Sequence, residues 1–140
     1  METTVDWAGG VRFIARTRGH EVVCDQPEDN GGTDAGMSPP EFLLASLGTC
    51  AASYAAEYLR ARKLPQEGPR VRVRAEKASQ PSRLSRFSVS VELPPLDDPR
   101  HIEGVERAVK RCLIHNTLLH APQIDVAIEA PVTMEAGAAG

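Results

Sequence analysis

The sequence is poor in aromatic residues and in cysteine. Phe, Trp and Tyr make up only 4% of the 140 residues, so the stacking surfaces of an RNA-binding sheet are mostly missing. The three cysteines cannot form a complete set of intrachain disulfides. We therefore expect a reducing compartment, in which thiols serve as metal ligands, reactive groups or core residues.

The sequence also lacks an excess of one charge and a long apolar run. Sixteen Lys and Arg residues against nineteen Asp and Glu residues give a net charge of −3, which argues against broad binding to nucleic acid. The longest apolar stretch is interrupted by Ser46, Thr49 and Ser53, so it does not predict a membrane span. Because the N-terminus has neither a basic nor an apolar signal region, we expect a cytoplasmic protein with no nucleic-acid and no membrane partner.

What remains is the composition of one globular domain. The apolar share of 41% and the charged share of 25% are ordinary for a folded chain, and 140 residues fit one domain. No repeat or linker divides the sequence. We therefore predict a single domain over residues 1–140.

Hydrophobic periodicity predicts five strands and two helices. The helices are expected at about 39–63 and 99–120. Apolar residues that alternate with polar ones predict the strands at 11–16, 20–25, 70–75, 86–93 and 124–130. Hairpins outnumber crossovers in this order, so we predict an α+β fold with largely antiparallel sheets.

The first predicted helix has a clear start and an unusually apolar surface. Ser38 is a suitable N-cap, prolines follow it, and Glu41 stands three residues after the cap, which is the pattern of a capping box. From Phe42 to Ala56 the helix is apolar nearly all round, so one small sheet cannot cover it. This predicts a partner chain, as in an obligate homodimer.

The cysteines are candidates for chemistry, each with a simpler alternative. Cys50 lies in the middle of the first helix, where the dipole of that helix cannot activate it; a reactive thiol would need a cation supplied by the fold, and otherwise Cys50 is a buried apolar residue. Cys112 with His115 could be half of a zinc site, but structural zinc needs four ligands, so this is the weakest hypothesis. Cys24 is interpreted as a core or unused thiol, and we predict no metal.

Two charged residues could serve the Cys50 thiol. Glu41 and Cys50 are nine residues apart, which places them on opposite faces of a straight helix and roughly 13 Å apart. A functional Glu41 therefore predicts a site made by two chains, whereas the alternative is a carboxylate used only in the cap. Arg12 follows Gly9-Gly10, and alternation alone does not distinguish it from an exposed strand arginine such as Arg16. No glycine run stands in a nucleotide-binding context, so no cofactor is predicted.

Several blocks of the sequence occur together in one order over nearly the whole chain. They are Gly9-Gly10 with Arg12 and Phe13, then His20–Val23, Gly31-Gly32, Pro40–Cys50 and Cys112–Leu118. Together they resemble the OsmC/Ohr family of thiol-dependent peroxidases, and the block that ends in Cys50 is the most specific.

The resemblance implies an OsmC-like fold in which antiparallel sheets surround a long central helix in an intertwined homodimer. It implies an enzyme that reduces organic hydroperoxides, and hydrogen peroxide less well, with a thiol reductant to recycle it. By similarity, Cys50 is the peroxidatic cysteine and Cys112 the resolving one. Arg12 stabilises the thiolate, and Glu41 positions Arg12.

The sequence departs from the best-defined members at two points. Glu41 stands nine rather than ten residues before Cys50, and Leu113 replaces the usual proline after Cys112. With His115-Asn116-Thr117, these features resemble a less characterised OsmC-like branch. The alternative hypothesis is therefore a non-catalytic module that binds a small ligand in a pocket at the dimer interface.

Overall fold

The computed structural model describes residues 1–134 and contains two antiparallel sheets and three α-helices. The strands are β1 Thr4–Trp7, β2 Phe13–Thr17, β3 His20–Cys24, β4 Arg70–Ser79 and β5 Ser82–Glu92. The helices are α1 Pro39–Ala61, α2 Arg100–Val109 and α3 Leu113–Leu119. The prediction of an α+β fold with antiparallel sheets is confirmed.

The first sheet is the meander β1-β2-β3. Its register aligns Trp7, Phe13 and Cys24 across the three strands, and Val5, Ala15 and Val22 beside them. Because paired residues share a face of the sheet, all six of these residues lie on one apolar face. Within the described residues, no helix and neither strand of the second sheet packs substantially against the meander. Strand β1 was not predicted from the sequence.

The second sheet is the hairpin β4-β5, which lies over α1. Along β4, Val71, Val73 and Ala75 are half-buried while the residues between them are exposed, as the alternation predicted. Gly48 of α1 allows the close approach, since a Cβ atom there would lie 3.1 Å from the Val73 side chain.

The core is a narrow stripe along α1. Leu47, Ala51, Ala55 and Leu59 recur every fourth residue and are almost fully buried, and Val105 of α2 packs on the last two of them. This spacing places the four side chains on one side of the helix. Within the described chain only this stripe of α1 is fully buried.

The second predicted helix is in fact two helices. The prediction of one helix over 99–120 is wrong, because the chain leaves the helical conformation at Cys112, whose φ and ψ are −55° and 132°. The apolar spacing continues through this point, so periodicity gave no sign of the break. The break makes Cys112 the N-cap of α3, a position with decisive consequences for the site described below.

The predicted strand at 124–130 is not formed within the chain. Ile124, Val126 and Ile128 are 78%, 80% and 87% exposed, and no described strand pairs with this segment. Alternation identifies residues that could form a strand, but a strand also needs a neighbour, and residues 1–134 offer none. The sequence after Pro131 also predicts a frayed tail, of which residues 135–140 lie outside the described part of the chain. Within the described part, no helix combines the length and apolar character that crossing a membrane requires.

Gly104 of α2 leads to a first testable prediction. A Cβ atom at this buried position would lie 1.9 Å from the Tyr58 hydroxyl oxygen, which interacts with His101 at 3.2 Å. Overpacking of this kind costs about 1–3 kcal/mol and outweighs the roughly 1 kcal/mol that alanine gains over glycine in a helix. We expect Gly104→Ala to lower the free energy of unfolding by about 1–2 kcal/mol in urea titrations.

The exposed neighbour Glu103 provides the control. Glu103→Ala changes the same helix without a clash and should leave the free energy of unfolding within about 0.5 kcal/mol of the starting value. A Gly104→Ala protein that is as stable as the unmodified chain would contradict the packing described here.

Candidate active site

Two of the predicted site residues, Cys50 and Cys112, meet in the structure. Cys50 lies on α1, on a different side from the buried stripe, and is half-buried. Cys112 caps α3 and is fully buried. The two thiols are in hydrogen-bonding contact, and both are reduced.

The pKa of the Cys50 thiol depends on the first turn of α3. Burial raises the pKa of the Cys50 thiol, but hydrogen bonds outweigh burial and leave the pKa below its ordinary value. The donors are the Cys112 side chain and the backbone N–H groups of Ile114 and Leu113. These N–H groups have no partner within a helix, and they carry the positive end of the helix dipole.

The Cys112 thiol is shifted in the opposite direction. Burial raises the pKa of Cys112, and its hydrogen bond to Cys50 raises it further, while the N–H groups of His115 and Ile114 partly oppose the rise. One proton therefore resides preferentially on Cys112, and the thiolate forms preferentially on Cys50. The sequence alone suggested that a cation would be needed to lower the pKa of Cys50. In the structure, the N-terminal turn of a second helix contributes to the lowering.

Arg12 lies on the meander, between β1 and β2. The β1-β2 turn presents it, with Gly9 and Gly10 at φ values of 103° and 56°, which glycine tolerates best. Its Nε atom lies 3.7 Å from the Asp25 carboxylate, and its Nη2 atom donates to the Thr33 hydroxyl. No arginine contributes to the shifted pKa of Cys50 within the described chain.

A compact loop between β3 and α1 surrounds the Asp25 carboxylate. Asp25 is 2% exposed, and hydrogen bonds from the Thr33 side chain and from the N–H groups of Ala35, Gln26 and Thr33 hold its pKa well below the ordinary range. Gly32 is required for this loop, because a Cβ atom there would lie 1.9 Å from the Gln26 carbonyl oxygen.

Neither Asp25 nor Thr33 was predicted from the sequence as a site residue. The available signal was an aspartate at the end of a strand, followed by proline and a glycine-rich segment, where such a side chain often accepts hydrogen bonds from loop N–H groups.

Glu41 completes the cap of α1. Its Oε2 atom accepts hydrogen bonds from the Ser38 N–H group at 2.7 Å and from the Ser38 hydroxyl at 2.9 Å. These two bonds lower the pKa of Glu41. Among residues 1–134, Glu41 forms no ion pair with Arg12, so the two residues that the resemblance links are apart in a single chain.

The remaining candidates are dispersed. Cys24 ends β3 and is half-buried. His115 lies one turn beyond Cys112, and its Nδ1 atom is buried without a hydrogen-bond partner among the described residues. Over the same residues, no group of three or more His, Cys, Asp and Glu side chains has the arrangement of a metal site.

An apolar cavity of about 1060 Å³ adjoins this region. It lies between β5 and the three helices, and its lining includes Leu47, Phe87, Val105 and Leu118. His115 also lines it, but neither Cys50 nor Cys112 does. The cavity is therefore a neighbour of the thiol pair and does not enclose it.

Comparison with known proteins shows the family to which the chain belongs. A family model described as OsmC-like protein matches residues 31–127, which include the Asp34–Met37 end of the loop, all of α1, both thiols and α3. The chain belongs to the OsmC-like family. No curated protein matches it in sequence.

The fold of this OsmC-like chain is also found in solved structures. It is similar to a Psychrobacter arcticus protein named for osmotic stress induction and detoxification response, with a TM-score of 0.75, 21% identity, and coverage of 82% of this chain and 85% of that one. It is also similar to an OsmC-like protein from Mycoplasma pneumoniae, with a TM-score of 0.71, 20% identity, and coverage of 86% of this chain and 87% of that one. A third similar structure is an organic hydroperoxide resistance protein from Legionella pneumophila, with a TM-score of 0.61, 17% identity, and coverage of 84% of this chain and 89% of that one. At these identities the likeness shows the fold.

The hydrogen bond between the two thiols gives a second prediction, which uses a matched pair of variants. In a Cys24→Ser background, Cys112→Ser retains an O–H donor toward Cys50, whereas Cys112→Ala removes the donor. We expect the pKa of Cys50 to be higher in the alanine variant than in the serine variant. Thiolate absorbance at 240 nm, followed as a function of pH, measures it.

Equal pKa values in the two variants would show that the Cys112 side chain does not act on Cys50. Cys24→Ser alone is the reference for the titration, since it changes neither member of the pair.

Proposed function

We propose that this OsmC-like protein is a thiol-dependent peroxidase that reduces organic hydroperoxides. The observation that carries the proposal is the unequal thiol pair: Cys50 is partly accessible with a lowered pKa, and Cys112 is buried with a raised pKa. A nucleophilic thiol needs to be accessible and to have a lowered pKa. A resolving thiol reacts only after its partner has been oxidised, so burial and a raised pKa are compatible with that role. The name of the Legionella pneumophila relative supports the substrate class.

In the proposed first step, the Cys50 thiolate attacks the terminal oxygen of the hydroperoxide. The S–O bond forms as the O–O bond breaks, so Cys50 is oxidised to a sulfenic acid and the hydroperoxide leaves as an alkoxide that takes up a proton. The N–H groups of Leu113 and Ile114 favour the thiolate before the attack. A guanidinium near the peroxide would stabilise the departing oxygen.

In the proposed second step, the Cys112 sulfur attacks the sulfur of the Cys50 sulfenic acid. A disulfide forms and water leaves, which protects Cys50 from further oxidation. Two electrons from a dithiol reductant then restore both thiols. A transient disulfide of this kind fits the predicted cytoplasmic location, where the surroundings are reducing.

We also propose that the protein acts as a homodimer. The apolar face of the meander supports this, because Trp7, Val5 and Val22 are 69%, 60% and 44% exposed on it and nothing in the described chain packs substantially there. A three-stranded sheet gains little stability without a covered face. A second copy of the chain supplies apolar surface of its own, including the exposed segment 124–128.

In such a dimer, Arg12 would lie close to the Cys50 of the other subunit. This arrangement explains why Arg12 and Cys50 are apart within one chain although the resemblance links them. Glu41 stays a prediction in its positioning role, since its carboxylate is used in the cap of α1.

The apolar cavity beside His115 favours a second candidate, a binding module without catalysis. Its volume of about 1060 Å³ is at the upper end of the size range of small-molecule sites. The two functions differ in their dependence on the thiol: Cys50→Ala leaves the affinity for an apolar ligand unchanged in a binding module and abolishes turnover in a peroxidase.

The third prediction tests the peroxidase directly. With cumene hydroperoxide and dithiothreitol, Cys50→Ser should reduce hydroperoxide consumption to the uncatalysed rate, because the attacking sulfur is missing. Without dithiothreitol, which would itself reduce the sulfenic acid, Cys112→Ser should permit at most one turnover before Cys50 is oxidised beyond sulfenic acid. Hydroperoxide is followed by a colorimetric assay, and the oxidation state of Cys50 by mass spectrometry.

Cys24→Ser serves as the control and should retain the activity of the unmodified protein. If the unmodified protein consumes no hydroperoxide at neutral pH, or if Cys50→Ser consumes it as fast, the peroxidase proposal fails.

The fourth prediction concerns the dimer. Phe13→Asp introduces a charge into the apolar face of the meander and should convert the dimer into monomers, as measured by light scattering after size-exclusion chromatography. Val22→Ser, a milder change on the same face, should weaken association. Thr4→Asp, on the opposite face, should leave the dimer intact. A monomeric unmodified protein, or a dimeric Phe13→Asp protein with native circular dichroism, would contradict the proposal.

A further inference from the structure

The buried carboxylate of Asp25 is the centre of the loop that follows β3. Its Oδ1 atom accepts the Gln26 N–H group at 2.8 Å, and its Oδ2 atom accepts the Thr33 hydroxyl at 2.8 Å and the N–H groups of Thr33 and Ala35 at 3.1 Å each. A carboxylate with four donors and almost no exposure is fixed in one orientation. The loop therefore holds the Thr33 hydroxyl in a defined place.

Arg12 is attached to this loop along one edge of its guanidinium. The Thr33 hydroxyl donates to Asp25 and accepts from Nη2 of Arg12, so it links the two residues. Nε of Arg12 is buried and lies 3.7 Å from Oδ2 of Asp25, an ionic contact too long for a hydrogen bond. Among residues 1–134, Nη1 of Arg12 forms no hydrogen bond or ion pair, so the opposite edge of the guanidinium remains available to another group.

We propose that Asp25, acting through Thr33, is the positioning residue that orients the guanidinium of Arg12 for the reaction of Cys50. The inference rests on the proposed peroxidase and its dimer. It assigns to Asp25 a role for which the sequence suggested Glu41, whose carboxylate is bound instead to the N–H and hydroxyl groups of Ser38.

Physical reasons favour Asp25 in this role. An unrestrained arginine samples many rotamers, and ordering it at the moment of reaction carries an entropic cost. The contacts to Thr33 and Asp25 order the side chain beforehand. Because four loop donors hold the carboxylate in place and its contact with Arg12 is as long as 3.7 Å, Asp25 fixes the direction of the guanidinium and leaves its other edge open to a thiolate or a peroxide oxygen.

The decisive test uses Thr33, an exposed residue at which a small change should be compatible with folding. Thr33→Val removes the hydroxyl and conserves the shape, whereas Thr33→Ser retains the hydroxyl. In the full-length protein, we expect Thr33→Val to slow the reaction of Cys50 with cumene hydroperoxide at pH 7 about tenfold, as loss of one hydrogen bond to a charged group would do. Thr33→Ser should restore most of the rate.

A double-mutant cycle separates positioning from a general effect on folding. In an Arg12→Ala background, Thr33→Val should cause no further loss of rate, because the arginine that Thr33 orients is absent. The pKa of Cys50, measured by thiolate absorbance, should rise in Arg12→Ala and in Thr33→Val and should not rise further in the double variant.

Additive losses in the cycle, or equal rates for Thr33→Val and the unmodified protein, would overturn the inference while leaving the peroxidase proposal intact. If the unmodified protein consumes no hydroperoxide, the proposed function fails. The Cys50 titration still decides the positioning in that case: a pKa that Thr33→Val and Arg12→Ala leave unchanged would overturn it independently.

Discussion

The interaction on which the site depends is the pairing of two sulfurs with the first turn of α3. A helix begins with N–H groups that its own backbone cannot satisfy. Here the N–H groups of Leu113 and Ile114 lower the pKa of Cys50, and those of His115 and Ile114 partly oppose the rise in the pKa of Cys112. The pKa of Cys50 is lowered as a result, while burial and the neighbouring Cys50 thiol raise the pKa of Cys112.

This arrangement divides the site between two parts of the fold. The helical part supplies the sulfurs and lowers the pKa of one of them without a charged side chain. The meander carries Arg12 on a turn that the loop around Asp25 braces. The meander makes no substantial contact with the helices of its own chain among the described residues, and the proposed dimer would bring Arg12 to the Cys50 of the other subunit.

The sequence predicted those features that local rules determine. The cap at Ser38 and Glu41, the hairpin strands and the antiparallel pairing follow from residue type and period. The break before α3 could not be predicted in this way, because the apolar spacing continues through Cys112. The prediction of a strand at 124–130 was wrong because a strand also needs a neighbour with which to pair. The source of the Cys50 shift and the role of Asp25 depend on contacts between residues far apart in the chain, and no local pattern records them.

The distance along the chain between the two thiols has a consequence for the whole molecule. A bond between Cys50 on α1 and Cys112 before α3 would close a loop of roughly 60 residues that contains the entire β4-β5 hairpin and α2. Such a crosslink lowers the conformational entropy of the unfolded chain, which corresponds to a stabilisation of the folded state by about 4 kcal/mol. The thermal stability of the protein would then be higher after oxidation to the disulfide than in the reduced form.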